Sequence, residues 1–215
     1  LQTNNEADWA IVNAKGKQIS ISIRNTINLW NNAQNAINNA KHNYPTSGVR
    51  VYQGCEVNKV LKAMNKAKTA TNNVVPSTYC DLYGYSAYDT IWPSSGNYNS
   101  KNFLKALNYL DKKARPSQDF GDKNIYISEF GFREDLFPMN KKNKFAKKLN
   151  GDIMVQHIQT ALDWGVPYIN LWTLYDNECK VFNPASDSEC PGFFMRKPSG
   201  SASDTYLKVR SSFSQ

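Results

Sequence analysis

Apolar runs of strand length alternate with segments of helical spacing along the whole chain, and no other feature restricts its possible folds so strongly. Val49 to Gly54, Asp81 to Ser86, Ile125 to Phe130 and Tyr168 to Trp172 read as strands, and Leu1 to Glu6 reads as the end of another. Between them, Ile23, Ile27, Trp30, Ile37 and Ala40 keep the spacing of a helix over roughly Ile23 to His42, ended by Pro45 and Gly48. Val60, Leu61, Met64 and Ala67 predict a second helix, and Phe103, Leu104, Leu107, Leu110 and Ala114 a third, stopped before Pro116. Ile153, Ile158, Ala161 and Leu162 predict a fourth, and Tyr206, Leu207 and Val209 a last. Five strands alternating with five helices call for parallel strands joined by right-handed crossovers.

Two α/β architectures meet that requirement, an open doubly wound sheet and a (β/α)8 TIM barrel. A Gly-rich phosphate loop follows none of the strands, which disfavours the dinucleotide-binding form of the first. The barrel also suits the placing of Glu6, Glu56, Tyr88, Glu129 and Trp172, all read at the carboxyl ends of strands, where barrels carry their chemistry. With 215 residues, 40% of them hydrophobic, the chain is expected to form a single domain over 1–215, and no apolar run nears the roughly 18 residues of a membrane span. No basic and apolar leader follows Leu1, so the chain is expected to be processed, cut or incomplete.

The net charge of +8 includes one dense run, Lys141, Lys142, Lys144, Lys147 and Lys148, placed in a loop and read as a solvated surface. It comes with no nucleic-acid recognition motif, so no nucleic-acid partner is expected. Cys179 and Cys190 bracket a loop rich in Asn, Pro, Ser and Asp, which suits a disulfide formed in an oxidising, extracellular compartment. Cys55 and Cys80 are expected at opposite ends of neighbouring strands, too far apart to bridge. Neither pair has zinc-ligand spacing with His42 and His157, so no metal and no cofactor are expected.

Ile125-Tyr126-Ile127-Ser128-Glu129-Phe130-Gly131 ends a buried run on a carboxylate and a glycine. A charge at such an edge is costly to leave idle. Asp8, Glu56 and Glu178 are further acids in loops or strand exits, with Asp8 and Glu178 read as contacts to ligand hydroxyls or water. Trp92, Tyr98, Trp172 and Tyr175 fall near the presumed open face, where flat rings offer stacking surfaces, while Trp9, Trp30 and Trp164 are assigned to packing.

Ser128-Glu129-Phe130-Gly131, followed a helix later by Leu171-Trp172 at a strand end, resembles strands seven and eight of the retaining glycoside hydrolases of the cellulase-like TIM-barrel clan. The resemblance implies Glu129 as nucleophile and Trp172 as the floor of the sugar subsite. Counting strands backwards, Asn5-Glu6 is similar to the clan's Asn-Glu at the end of strand four, which implies Glu6 as acid/base and Asn5 as a sugar-hydroxyl ligand. Tyr85-Ser86-Ala87-Tyr88 is similar to the strand-six segment whose tyrosine bonds the nucleophile, with Tyr88 preferred and Tyr85 the alternative. Glu56 competes with Glu6 for the acid/base role but lacks the preceding Asn, and is read as a substrate-hydroxyl contact.

On this count the chain holds strands four to eight, the C-terminal five βα units, and upstream sequence or another fragment would complete the barrel. The expected activity is retaining cleavage of β-glycosidic bonds in a polysaccharide or oligosaccharide by a secreted enzyme, with carbohydrate as partner. The alternative is a noncatalytic sugar-binding barrel associated with a cell wall. The separation of the Glu6 and Glu129 carboxyls distinguishes them: close across an open groove for the enzyme, beyond about 9 Å for the binder.

Overall fold

The computed structural model describes residues 2–4, 6–12, 19–45, 48–91, 100–131, 133 and 145–214. In chain order the elements are β1 (Gln2–Asn4), α1 (Ala7–Ala10), α2 (Ser20–Asn43), β2 (Gln53–Val57), α3 (Val60–Met64), α4 (Ala70–Asn73), β3 (Leu82–Ser86), α5 (Tyr88–Ile91), α6 (Ser100–Asp111), β4 (Ile125–Phe130), α7 (Phe145–Trp164), β5 (Ile169–Leu171) and α8 (Asp204–Phe213). The fold is mixed α/β. The strands form one parallel sheet in the order β1-β2-β3-β4-β5, so strand order follows chain order without the reversal of a doubly wound sheet.

Every residue of β2 and β3 is buried, as expected for parallel strands covered on both faces. One face carries Cys55, Val57, Tyr83, Tyr85, Ile125 and Ile127, which pack with Trp30 of α2, Phe103, Leu107 and Leu110 of α6 and Met154 of α7 in one apolar cluster. By alternation, and by the pairing of Glu56 with Gly84 and of Gly84 with Tyr126, the other face carries Gly54, Glu56, Gly84, Ser86, Tyr126 and Ser128. Small and polar residues dominate it. Gly84 is required there, because a Cβ would come within 2.8 Å of the Ser128 Cβ and 3.0 Å of the Tyr126 ring.

Several boundaries differ from the sequence reading. Val49 and Val51 alternate like strand residues but are 71% and 41% exposed, and pairing begins only at Gln53, whose backbone N–H is received by the Asp81 carboxylate at 3.0 Å. Glu56 therefore lies inside β2 rather than beyond it. The helix expected over Val60 to Ala67 stops at Met64, and α4 starts afresh after Thr69, whose side chain caps it. Lys147 and Lys148 belong to α7 rather than to a loop, while Lys141, Lys142 and Lys144 lie outside the described residues. No helix among the described residues is long and apolar enough to cross a membrane.

Two disulfides are present, Cys179–Cys190 as expected and Cys55–Cys80 against expectation. Cys55 is the middle residue of β2, not the residue past its end, and Cys80 precedes a bend at Asp81. The Asp81 bond to Gln53 ties the entry of β3 to the start of β2, and the two cysteine Cα atoms come within 6.1 Å. Both cysteines are buried and the bridge closes a loop between residues 25 apart. Replacing the pair by alanine is expected to cost about 2–3 kcal/mol in urea unfolding, mostly through a less restricted unfolded chain. An unchanged midpoint would show that the strand register alone holds this corner.

Candidate active site

Glu129 faces the polar side of the sheet because β4 holds an extra residue. Tyr85 pairs with Ile127, but the next residue of β3, Ser86, pairs with Glu129, and the register with β5 also shifts between Ile127 and Phe130. Strict alternation from Tyr126 would send Glu129 toward the helices. The bulge instead re-aims it to the inner mouth and returns Phe130 to the apolar cluster. The following glycine answers to a neighbour, since a Cβ on Gly131 would collide with the backbone carbonyl of Trp172.

Glu6, at the exit of β1, and Glu56, in β2, meet Glu129 there. One carboxylate oxygen from each lies within 4.8 Å of the others. Glu6 accepts hydrogen bonds from the Trp9 indole and from Asn58 Nδ2 at 2.6 Å, and its Oε1 lies 2.6 Å from Ser86 Oγ. The same Ser86 Oγ is 3.2 Å from Glu129 Oε2, and Ser128 Oγ donates to Glu56 Oε1 at 2.8 Å. Burial, then the charge of Glu6, holds the Glu129 carboxyl above its ordinary range. Burial also pushes Glu56 up to about 7, against its bond from Ser128 and with help from the charges of Glu129 and Glu6. By distance alone the three oxygens could also hold a cation.

The carboxylates line a cleft of about 920 Å³ with Trp9, Ser128, Asn170, Trp172 and Thr173. A space of about 390 Å³ shares Glu6, Trp9, Glu129 and Trp172 with it and adds Tyr88, Arg133, Glu178 and Phe193. Both spaces are lined by the Glu6 and Glu129 pair. Tyr88 packs edge-on against Phe193, and burial followed by the charge of Glu129 keeps its hydroxyl protonated far above the ordinary tyrosine range.

Comparison with family models, with curated proteins and with solved structures gives no match.

Of the residues singled out in the sequence, Glu6, Glu56, Tyr88, Glu129, Trp172 and Glu178 line this groove. Tyr85 does not. It lies on the helix side of β3, fully buried, with its hydroxyl bonded to Asp89 and Thr90. Asn5, Trp92 and Tyr98 lie outside the described residues. Asp8 is structural rather than a sugar contact: its buried carboxylate receives the backbone N–H groups of Asn58, Lys59 and Ala70 at 2.9–3.1 Å. Trp30 is packed as expected, whereas Trp9 is 61% exposed, holds Glu6 and lies under the Lys59 ammonium at 3.6 Å. Tyr175 is exposed beside the Cys179–Cys190 loop, and both cysteines, being bridged, are excluded as metal ligands with Asp176. Ser86, Ser128 and Asn58 were given no role in the sequence reading, although alternation along Leu82 to Ser86 points Ser86 to the same face as Gly84.

Proposed function

We propose that this protein is a retaining glycoside hydrolase acting on β-linked polysaccharide or oligosaccharide, with Glu129 as nucleophile and Glu6 as acid/base. The observation that carries the reading is the short approach of the Glu6 and Glu129 carboxyls, within 4.8 Å and bridged by one serine, inside an open groove. Retaining hydrolysis uses carboxyls roughly 5–5.5 Å apart, while inversion needs about 6.5–9.5 Å for the intervening water.

In the first step a Glu129 oxygen bonds to the anomeric carbon. The glycosidic C–O bond breaks with its electron pair on the leaving oxygen, which takes the proton of Glu6. In the second step a water oxygen bonds to the anomeric carbon, its proton passes to Glu6, and the ester bond pair returns to Glu129. Trp172 supplies a flat face for the sugar ring, and Tyr88 stays a protonated donor near Glu129. The neighbouring negative charge disappears once the ester forms, so Glu6 can then act as base.

We also read the sheet as part of a (β/α)8 barrel. Its strand order is sequential, its edges are β1 and β5, and the Tyr126 hydroxyl on its polar face is buried with no hydrogen-bond partner among the described residues. Further strands, from the same polypeptide or another fragment, would close those edges and cover that face. The two disulfides suit a secreted protein.

The test is a panel of aryl β-glycosides given to the protein and to Glu129→Gln. Turnover by the first, with binding but no turnover by the second, is the expected result. Equal rates in both would overturn the assignment, and binding without turnover by either would favour the noncatalytic sugar-binding barrel.

A further inference from the structure

Ser86 stands at the end of β3, completely buried, opposite Glu129 across the bulge. Its Oγ contacts Glu6 Oε1 at 2.6 Å and Glu129 Oε2 at 3.2 Å. A hydroxyl has one proton to give and lone pairs with which to receive. If both carboxyls were ionised, one of these contacts would set oxygen lone pairs against each other in a site of low dielectric, at a cost the fold would have to bear. Both contacts are satisfied when one carboxyl holds a proton, donates it to Oγ, and leaves the serine proton for the other. The two contacts fit an acid, a hydroxyl and a carboxylate in series.

We propose that Ser86 is a positioning residue that switches its single hydrogen bond between Glu129 and Glu6 as the negative charge moves between them during turnover. This rests on the hydrolase reading above. In the resting state the Ser86 proton points to ionised Glu129 and Oγ receives the proton of Glu6. Once Glu129 is esterified and Glu6 has protonated the leaving oxygen, the hydroxyl rotates and donates to Glu6 Oε1. When water returns a proton to Glu6 and the ester bond pair returns to Glu129, it rotates back. Only a rotation of the O–H bond is required; Ser86 forms and breaks no covalent bond. A purely structural serine would fill the same space without following the charge.

Ser86→Ala and the near-isosteric Ser86→Cys, whose thiol is a weak donor, both remove the switch, and Ser86→Thr keeps it. Two readouts are needed. The first is the titration of Glu129, followed by ¹³C NMR on carboxyl-labelled glutamate, which is expected to move up by about one pH unit in the Ala and Cys variants and to return in Thr. The second is pre-steady-state hydrolysis of aryl β-glycosides, in which formation and breakdown of the glycosyl enzyme are both expected to slow roughly tenfold or more. Titration and both phases unmoved in Ala and Cys, with wild type turning over, would overturn the switch alone. No turnover by wild type on any member of the panel would overturn the hydrolase reading together with it.

Discussion

In buffer containing azide, Glu129→Ala is expected to convert aryl β-glycosides to the α-glycosyl azide, after losing on the order of 10⁴-fold of the unassisted rate. Removing the carboxylate deletes the group that bonds to the anomeric carbon and opens a space in the cleft that Trp172 lines, next to the buried Ser86. Azide entering that space attacks in a single displacement. Its nitrogen bonds to the anomeric carbon as the aryloxide departs with its bond pair, so the product has inverted configuration. Glu6→Ala should behave differently with an activated leaving group. Its glycosyl enzyme still forms on Glu129, and azide then replaces water in the second displacement to give the β-azide. The same experiment separates the two neighbouring acids. If Glu56→Ala rather than Glu6→Ala yields the β-azide, the acid/base belongs to the residue held by Ser128, and Glu6 becomes the positioning carboxylate. A β-azide from Glu129→Ala would refute the assignment of the nucleophile.

What could be read in the sequence was what depends on one strand at a time. Ile125 to Phe130 is apolar enough to be buried whatever lies beside it, so β4 and the unusual charge at its end were recoverable from residue type alone. Relations between strands were not. Whether Tyr85 or Tyr88 reaches Glu129 depends on which face of β3 packs on the helices, and Tyr85 is on that face. Glu129 reaches the groove only through a one-residue bulge, which leaves no mark in an apolar run. Val49 and Val51 carry a strand-like pattern that is exposed, and the misplaced start of β2 hid both the inward position of Glu56 and the approach of Cys55 to Cys80. Ser86 is one serine among many until the pairing sets it opposite Glu129. Side chains whose role is to connect two others become visible only with the register.

That register also stores a cost in the fold, and Glu56→Gln should release it. The Glu56 carboxyl is pushed up to about 7 by burial from its ordinary 4.5, so between these pH values the folded state binds a proton that the unfolded chain has given up. The contribution of Glu56 to folding stability must then fall as pH rises through that window, by ~1.4 kcal/mol per pH unit at most, and its penalty is complete above about 7. Glutamine keeps the shape and can still accept the Ser128 bond at Oε1, but it has no charge to bury. The variant is therefore expected to match wild type near pH 4, to gain on it steadily, and to be more stable by roughly 3–4 kcal/mol at pH 8. Urea unfolding at closely spaced pH values measures this directly, and parallel stability curves for the two proteins would refute it. A gain in stability accompanied by a loss of turnover on the aryl glycosides would be the mark of a carboxyl kept for chemistry, because a group retained only for folding would not be one whose neutral copy folds better.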